Sequence, residues 1–196
     1  MPITASTAAR ILRLRSVGMR QCYEAHVNGS ERPPLSIRQA VSADAEQVAE
    51  IFNQGVEDRV ATFETQLANP GDAARWIESD LVVVGERRGA LVGWAKASPY
   101  ADNHHYYDGV RESTLYVERG ARRTGVGRRL LDALADAAAE DGAHKLVGKI
   151  FTSNEPSIAM VGLLGWREVG VHERHGTLDG EWKDVLVVEK LLQPRE

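Results

Sequence analysis

Cysteine is nearly missing from this chain: Cys22 stands alone among 196 residues. One thiol closes no internal disulfide and supplies no thiolate cluster for zinc, so a disulfide scaffold and a cysteine-rich zinc module are both excluded. Long apolar runs are missing too; the longest falls far short of the roughly 20 residues that a membrane-spanning helix needs. The third absence is a basic excess. Twenty-four Lys and Arg against 28 Asp and Glu leave a formal net charge of −4, the wrong sign for a general nucleic-acid binder. What remains is 43% hydrophobic and 27% charged residues, ordinary for a globular protein. The length suits one domain with a substantial core, plus a tail. The expectation is a soluble cytoplasmic protein with neither nucleic acid nor membrane as partner.

The N-terminal segment differs from the rest. Arg10, Arg13, Arg15 and Arg20 all precede the first acidic residue, Glu24. Such a start resembles a transit peptide, yet it lacks the apolar core of a secretory signal. Residues 1–34 are read as a disordered extension, or as the product of an upstream start codon with the natural start near Met19 or later. Asn28 to Pro34 reads as linker, which sets a domain at 35–192 and a short tail at 193–196.

Within the domain, strand and helix patterns alternate. Leu35 to Gln39 reads as a strand. Ser42 then caps a helix in which Ala45, Val48, Ala49, Ile51 and Phe52 recur at helical spacing until Gly55. Asn69-Pro70-Gly71-Asp72 opens a second helix. Leu81 to Glu86 and Ala90 to Ala97 form a hairpin, followed by an aromatic, polar loop from Pro99 to Asp108. Ser113 to Glu118 is the next strand, and Leu130 to Asp141 a long amphipathic helix. Lys145 to Phe151, Glu155 to Leu164, Trp166 to Glu173 and Lys183 to Leu192 read as strand, helix, strand and strand. The expected fold class is α/β, a mixed sheet of about seven strands with helices on its faces.

Between the strand ending at Glu118 and the long helix lies Arg122-Arg123-Thr124-Gly125-Val126-Gly127-Arg128-Arg129. Two glycines permit a tight turn and close approach of main-chain N–H groups to a ligand. The following helix adds unpaired N–H groups and the positive end of its dipole. With four arginines beside it, the segment is a pyrophosphate cradle. A triphosphate P-loop is excluded, because Arg128-Arg129 stands where Lys-Ser/Thr is required. A dinucleotide fingerprint is excluded as well, because Leu130 replaces its third glycine.

Arg122-x-x-Gly125-x-Gly127 after Leu115-Tyr116-Val117 resembles the coenzyme A site of the GCN5-related N-acetyltransferase (GNAT) superfamily. Glu112-Ser113-Thr114-Leu115-Tyr116-Val117 is similar to the preceding strand of phosphinothricin-type acetyltransferases. Asn154-Glu155-Pro156-Ser157 with Leu164-Gly165-Trp166 resembles the superfamily's Asn-x-x-Ser helix and its Leu-Gly-aromatic ending. His175 to Val185 resembles the C-terminal hairpin of the phosphinothricin-type subgroup, which includes methionine sulfoximine acetyltransferases. The run Ile51 to Thr65 looks closest to the arsinothricin N-acetyltransferases. The resemblance covers Leu35 to Leu192. It implies a mostly antiparallel sheet with helices on both faces and a splayed central strand pair.

It also implies roles. Main-chain groups of Leu115, Tyr116 and Val117 would flank the pantetheine arm of acetyl-CoA, taken as co-substrate, with a bulge opening the wedge. Arg122, Arg123, Thr124, Gly125, Val126, Gly127 and Arg128 would hold the pyrophosphate, with Arg129 merely solvated. Val117 is then a donor to the thioester oxygen as charge builds there. Asn154 matches a cofactor-binding asparagine, and equally a helix N-cap. Glu112, a partly desolvated carboxylate at a strand start, is the expected general base. His175 resembles a histidine near the active site, with a turn-capping role as the rival.

Tyr106 and Tyr107 suit a polar headgroup, and Tyr107 matches the subgroup's tyrosine. Arg59, Phe63 and Arg111 are the remaining substrate contacts, since arginine forks suit carboxylate or phosphinate groups. His104, His105, Asp102 and Asp108 match no zinc spacing, so no metal is expected. The leading reading is acetylation of the α-amino group of a small amino-acid-like toxin, by direct attack in a homodimeric enzyme. Acetylation of a protein N-terminus, lysine or polyamine is the second reading, and a non-catalytic coenzyme A module the third.

Overall fold

The structure is a computed structural model and describes residues 33–100 and 105–192. The readings on residues 1–32, including Cys22, on Asp102 and His104, and on the tail from 193 fall outside those residues. The strands are β1 (Ser36–Gln39), β2 (Leu81–Arg87), β3 (Ala90–Pro99), β4 (Val110–Val117), β5 (Lys145–Phe151), β6 (Arg167–Leu178) and β7 (Glu181–Leu191). The helices are α1 (Ala45–Asp58), α2 (Pro70–Ser79), α3 (Val126–Glu140) and α4 (Glu155–Leu163). The strands form one seven-stranded sheet in the order β1-β2-β3-β4-β5-β7-β6. Every pairing is antiparallel except that of β4 with β5.

Period-two alternation sorts the strand side chains to two faces. Val82, Val84, Trp94 and Tyr116 join Val48, Phe52 and Val56 of α1 and Ala73 of α2 in one core. Val83, Ala95, Ala97, Leu146 and Val188 join Leu130 and Leu134 of α3 and Val161 of α4 in the other. Helices therefore cover both faces, as expected.

Several boundaries differ from the sequence reading, each for a local reason. Helix α1 does not stop at Gly55. A Cβ there would lie 2.6 Å from the Tyr116 ring, so this glycine makes room for an aromatic instead of ending a helix. Ser42 sits in a single 3-10 turn, Ser42–Asp44, and makes no cap bond. Asp44 is the residue that precedes α1, and its carboxylate caps no helix amide but accepts from the Val41 N–H at 2.8 Å. Helix α3 begins at Val126, not Leu130, because Gly125 takes the left-handed conformation (φ 84°) and turns the chain straight into it. Strand β6 runs on to Leu178 through a bulge between His172 and Gly176.

Asp44 is the one charged residue that is buried among those described, at 5% exposure. The Arg38 fork holds it from β1, Nη1 at 2.7 Å and Nη2 at 2.8 Å. Hydrogen bonding from Arg38 pulls the Asp44 carboxyl below its ordinary range, against the opposing effect of burial. A carboxyl that binds its proton less tightly when folded stabilises above about pH 4, and that stability drains away as pH falls through the folded value. Asp44→Asn should therefore cost about 1.5–3 kcal/mol at neutral pH. It should also flatten the acid limb of a melting-temperature profile. A profile that keeps the wild-type slope below pH 4 would show that Asp44 is not its source.

Candidate active site

Strands β4 and β5 pair only over Val110–Ser113 and Lys145–Gly148. Beyond that point each follows its other neighbour, β4 with β3 to Val117 and β5 with β7 to Phe151. The β3–β4 register is unbroken from Arg111 to Val117, so the opening comes from divergence and not from the bulge that the resemblance implied. The gap is a cavity of about 510 Å³ between β4, β5, α4, the 61–64 loop and the β6–β7 hairpin.

Alternation of the ladder decides which main-chain groups face this opening. The Glu118 N–H bonds to the Val92 carbonyl of β3. Amides two residues apart point the same way and adjacent ones oppositely, so Tyr116 also points to β3. The amides of Leu115 and Val117 then face the opening, where β5 no longer pairs. The edge is ready for an extended, amide-bearing ligand to bind as an added strand. The Tyr116 side chain lies on the other face, its ring 5.0 Å from Trp94 and 5.1 Å from Phe52. Burial, the largest cause, pushes its hydroxyl up to about 12, while a hydrogen bond with Thr62 opposes the shift.

The cradle stands at one end of the wedge. Gly125 has open space around it and a positive φ, so conformation is what it supplies. Gly127 supplies closeness. A Cβ there would lie 3.2 Å from Met160 Sδ and 3.3 Å from Leu115 Cδ2, so α3 can pack against α4 and β4 only at a glycine. No side chain caps α3, which leaves its first-turn N–H groups for a ligand. Arg128 and Arg129 are exposed on that turn. Arg122 is committed elsewhere, with Nη1 on Asp58 at 2.5 Å and Nε on the Val117 carbonyl at 3.1 Å. Arg119 and then Arg122 hydrogen-bond to Asp58 and hold its carboxyl below the usual range. Arg122 thus braces the cradle against α1.

At the other end sits Glu112. Its Oε2 accepts from Lys149 Nζ at 2.8 Å, and the side chain is 35% exposed. It is an ion-paired carboxylate, not one isolated in an apolar wall. Asn154 takes the cap role expected of it, and its side chain also stands on the cavity wall. Its Oδ1 accepts from the Ser157 N–H at 3.3 Å as the α4 cap, its Nδ2 donates to the Val60 carbonyl at 3.2 Å, and it lines the cavity. The β6 bulge aims His175 into the same wall, with its Nδ1 3.1 Å from His172 Nδ1. Phe63 packs edge-on to Phe151 at 4.7 Å.

A wedge, open amides and a capless helix beside a glycine turn suit an extended, amide-bearing ligand that ends in an anionic group. The family model described as acetyltransferase (GNAT) family matches residues 47–166. The chain belongs to the GNAT family. It is 32% identical to a phosphinothricin N-acetyltransferase of Streptomyces viridochromogenes, covering 79% of this chain and 86% of that one. With the L-amino acid N-acyltransferase MnaT of Escherichia coli it shares 30% identity over 82% of this chain and 96% of that one. The crystal structure of a GNAT phosphinothricin acetyltransferase from Sinorhizobium meliloti in complex with acetyl-CoA superimposes with a TM-score of 0.75. That pair shares 28% identity over 83% of this chain and 94% of that one. The protein is an acetyl-CoA-dependent N-acetyltransferase.

Not every residue expected at a GNAT acceptor site is brought there. Arg111 turns away to Asp141 at the end of α3, at 3.0 Å. Arg59, left-handed at the end of α1, pairs with Asp179 of the hairpin turn at 3.1 Å. Neither lines the cavity. Tyr106 and Tyr107 occupy a 3-10 turn, 62% and 39% exposed, and also lie off its wall. Among the described residues no group of three or more His, Cys, Asp and Glu converges as metal ligands, and no helix is long and apolar enough to cross a membrane.

Sequence reasoning missed Lys149, Thr62 and Glu64. Lys149 had a signal, a lone cation in the apolar strand Leu146 to Phe151. Also missed was a second cavity of about 440 Å³, walled by Phe52, Trp76, Trp94 and Lys96, which shares Glu64, Thr114 and Tyr116 with the first. The Phe63 wall is tested by Gly176→Ala, whose Cβ would lie 2.8 Å from that ring. Overpacking of this kind costs about 1–3 kcal/mol. The variant should melt lower and show a higher KM for the acceptor with an unchanged KM for acetyl-CoA. Equal changes in both would place Phe63 outside the acceptor end.

Proposed function

We propose that this enzyme acetylates the α-amino group of a small amino-acid-like toxin of the phosphinothricin, methionine sulfoximine or arsinothricin type. The observation that carries the reading is the position of Glu112, on the wedge wall beside Thr114 and Tyr116, which the two cavities share. The Phe63 loop and the His175 hairpin wall this end, which suits a compact acceptor better than a peptide. Lys149 and Lys96 are cations in the two walls, and they support an anionic group on the acceptor in place of the displaced Arg59 and Arg111. Acetylation removes the ammonium charge by which such a toxin mimics an amino acid, so resistance follows.

Acetyl-CoA supplies an acetyl group activated as a thioester. The α3 amides, Arg123 and Arg128 would hold its pyrophosphate, and the β4 edge its amide-bearing arm. An α-ammonium must lose a proton before its nitrogen can attack. Lys149 occupies Oε2 of Glu112, leaving Oε1 to take that proton directly or through water. The Val117 amide faces the opening and is the donor for an oxygen that gains charge during transfer. Attack is direct, in a ternary complex. His175 serves the acceptor end, held there by His172. The homodimer reading is supported by Val169, Val171 and Trp182, all exposed on the β6–β7 hairpin at the sheet edge.

Purified protein with acetyl-CoA should release free thiol when given these amino-acid analogues, and little with peptides, polyamines or no acceptor. Inactivity on all three analogues would overturn the substrate class. Glu112→Gln should lower kcat/KM at neutral pH by about 10²–10⁴-fold while coenzyme A still binds. Its remaining activity should climb as pH approaches the amine's own pKa. Unchanged turnover at pH 7 would remove Glu112 as the base.

A further inference from the structure

Arg87 closes β2, far in sequence from the cradle, yet its guanidinium reaches it. Nη1 donates to Thr124 Oγ1 at 3.1 Å, and that hydroxyl donates to the Ala121 carbonyl at 2.6 Å. Arg87 Nε is buried and has no hydrogen-bond partner among the described residues. Arg38, Arg59, Arg111, Arg119, Arg122 and Arg167 each face a carboxylate. Among the described residues Arg87 faces none.

Two consequences follow from this placement. The turn that Thr124 belongs to passes through the left-handed region twice, at Arg123 (φ 60°) and Gly125 (φ 84°). A non-glycine residue holds that conformation only when its surroundings enforce it. The chain from Arg87 through the Thr124 hydroxyl to the Ala121 carbonyl is such an enforcement, fixed to the sheet. Moreover, a half-buried cation without a counter-ion stands near the positive end of the α3 dipole. Like charge gathered at one spot is relieved by an anion.

We propose that Arg87 is a positioning residue for the cofactor. Through Thr124 it fixes the 121–125 turn, so that the first amides of α3 are aimed at a pyrophosphate before one arrives. The proposal rests on the reading that the cradle takes acetyl-CoA.

Calorimetric titration with coenzyme A itself, without turnover, tests it. Arg87→Met and Thr124→Val should each weaken binding about tenfold, a loss of about 1.4 kcal/mol. Thr124→Ser should bind like wild type. The double variant should lose no more than the worse single one, because both substitutions cut one chain of contacts. In turnover the loss should fall on KM for acetyl-CoA and not on KM for the acceptor. If Arg87→Met does not fold, the Thr124 pair decides alone. Binding within twofold of wild type in Thr124→Val, additive losses, or an equal rise in both KM values would overturn the proposal. A wild-type protein that fails to bind coenzyme A overturns the acetyl-CoA reading with it, whereas normal wild-type binding with unaffected variants overturns only the role of Arg87.

Discussion

The parting of β4 from β5 after Ser113 is the event on which the rest of the molecule depends. A parallel pair inside an otherwise antiparallel sheet needs a crossover, and α3 is that crossover. The same crossover brings its N-terminus to the end of β4, beside the gap. Cavity, exposed strand edge and helix terminus are thus three results of one topological choice. Because the strand edge and the helix terminus are main chain, the donor half of the site requires few particular side chains. What it does require is glycine at two points, one for conformation and one for closeness.

The acceptor half is built in the opposite way. Its walls are side chains from β4, β5, the 61–64 loop and the hairpin. Two charges here are already paired, Glu112 with Lys149 and, in the adjoining cavity, Lys96 with Asp80. An anion that reaches either lysine must compete with a carboxylate already in place. In the donor half, by contrast, Arg128 and Arg129 are exposed beside a helix start that no side chain caps. One protein therefore uses two electrostatic arrangements, exposed arginines beside the helix terminus and ion-paired side chains at the other end of the wedge.

This difference explains how much the sequence revealed. Sheet, helices and cradle were legible because they follow from periodicity and from turn residues, which are local. The α3 start was read four residues late, since Gly125 was taken for loop when its left-handed turn begins the helix. Arg59 and Arg111 were assigned to the acceptor by chemistry, but their directions depend on Asp179 and Asp141, distant partners that no spacing exposes. Lys149 lay in plain view and went unread because its partner is 37 residues away. Residue type tells what a side chain can hold, and only the fold tells what it already holds.

The clamp between Arg59 and Asp179 has a consequence for how such an enzyme diversifies. It ties the end of α1 to the tip of the hairpin at 3.1 Å, while Phe63 rests against Gly176 only a few residues away on each side. Two segments more than a hundred positions apart in the chain therefore behave as one jaw. A lineage that remodels one side for a bulkier acceptor inherits an unfitted partner on the other, so changes of acceptor should arrive as paired substitutions across the clamp, while the donor groove stays as it is.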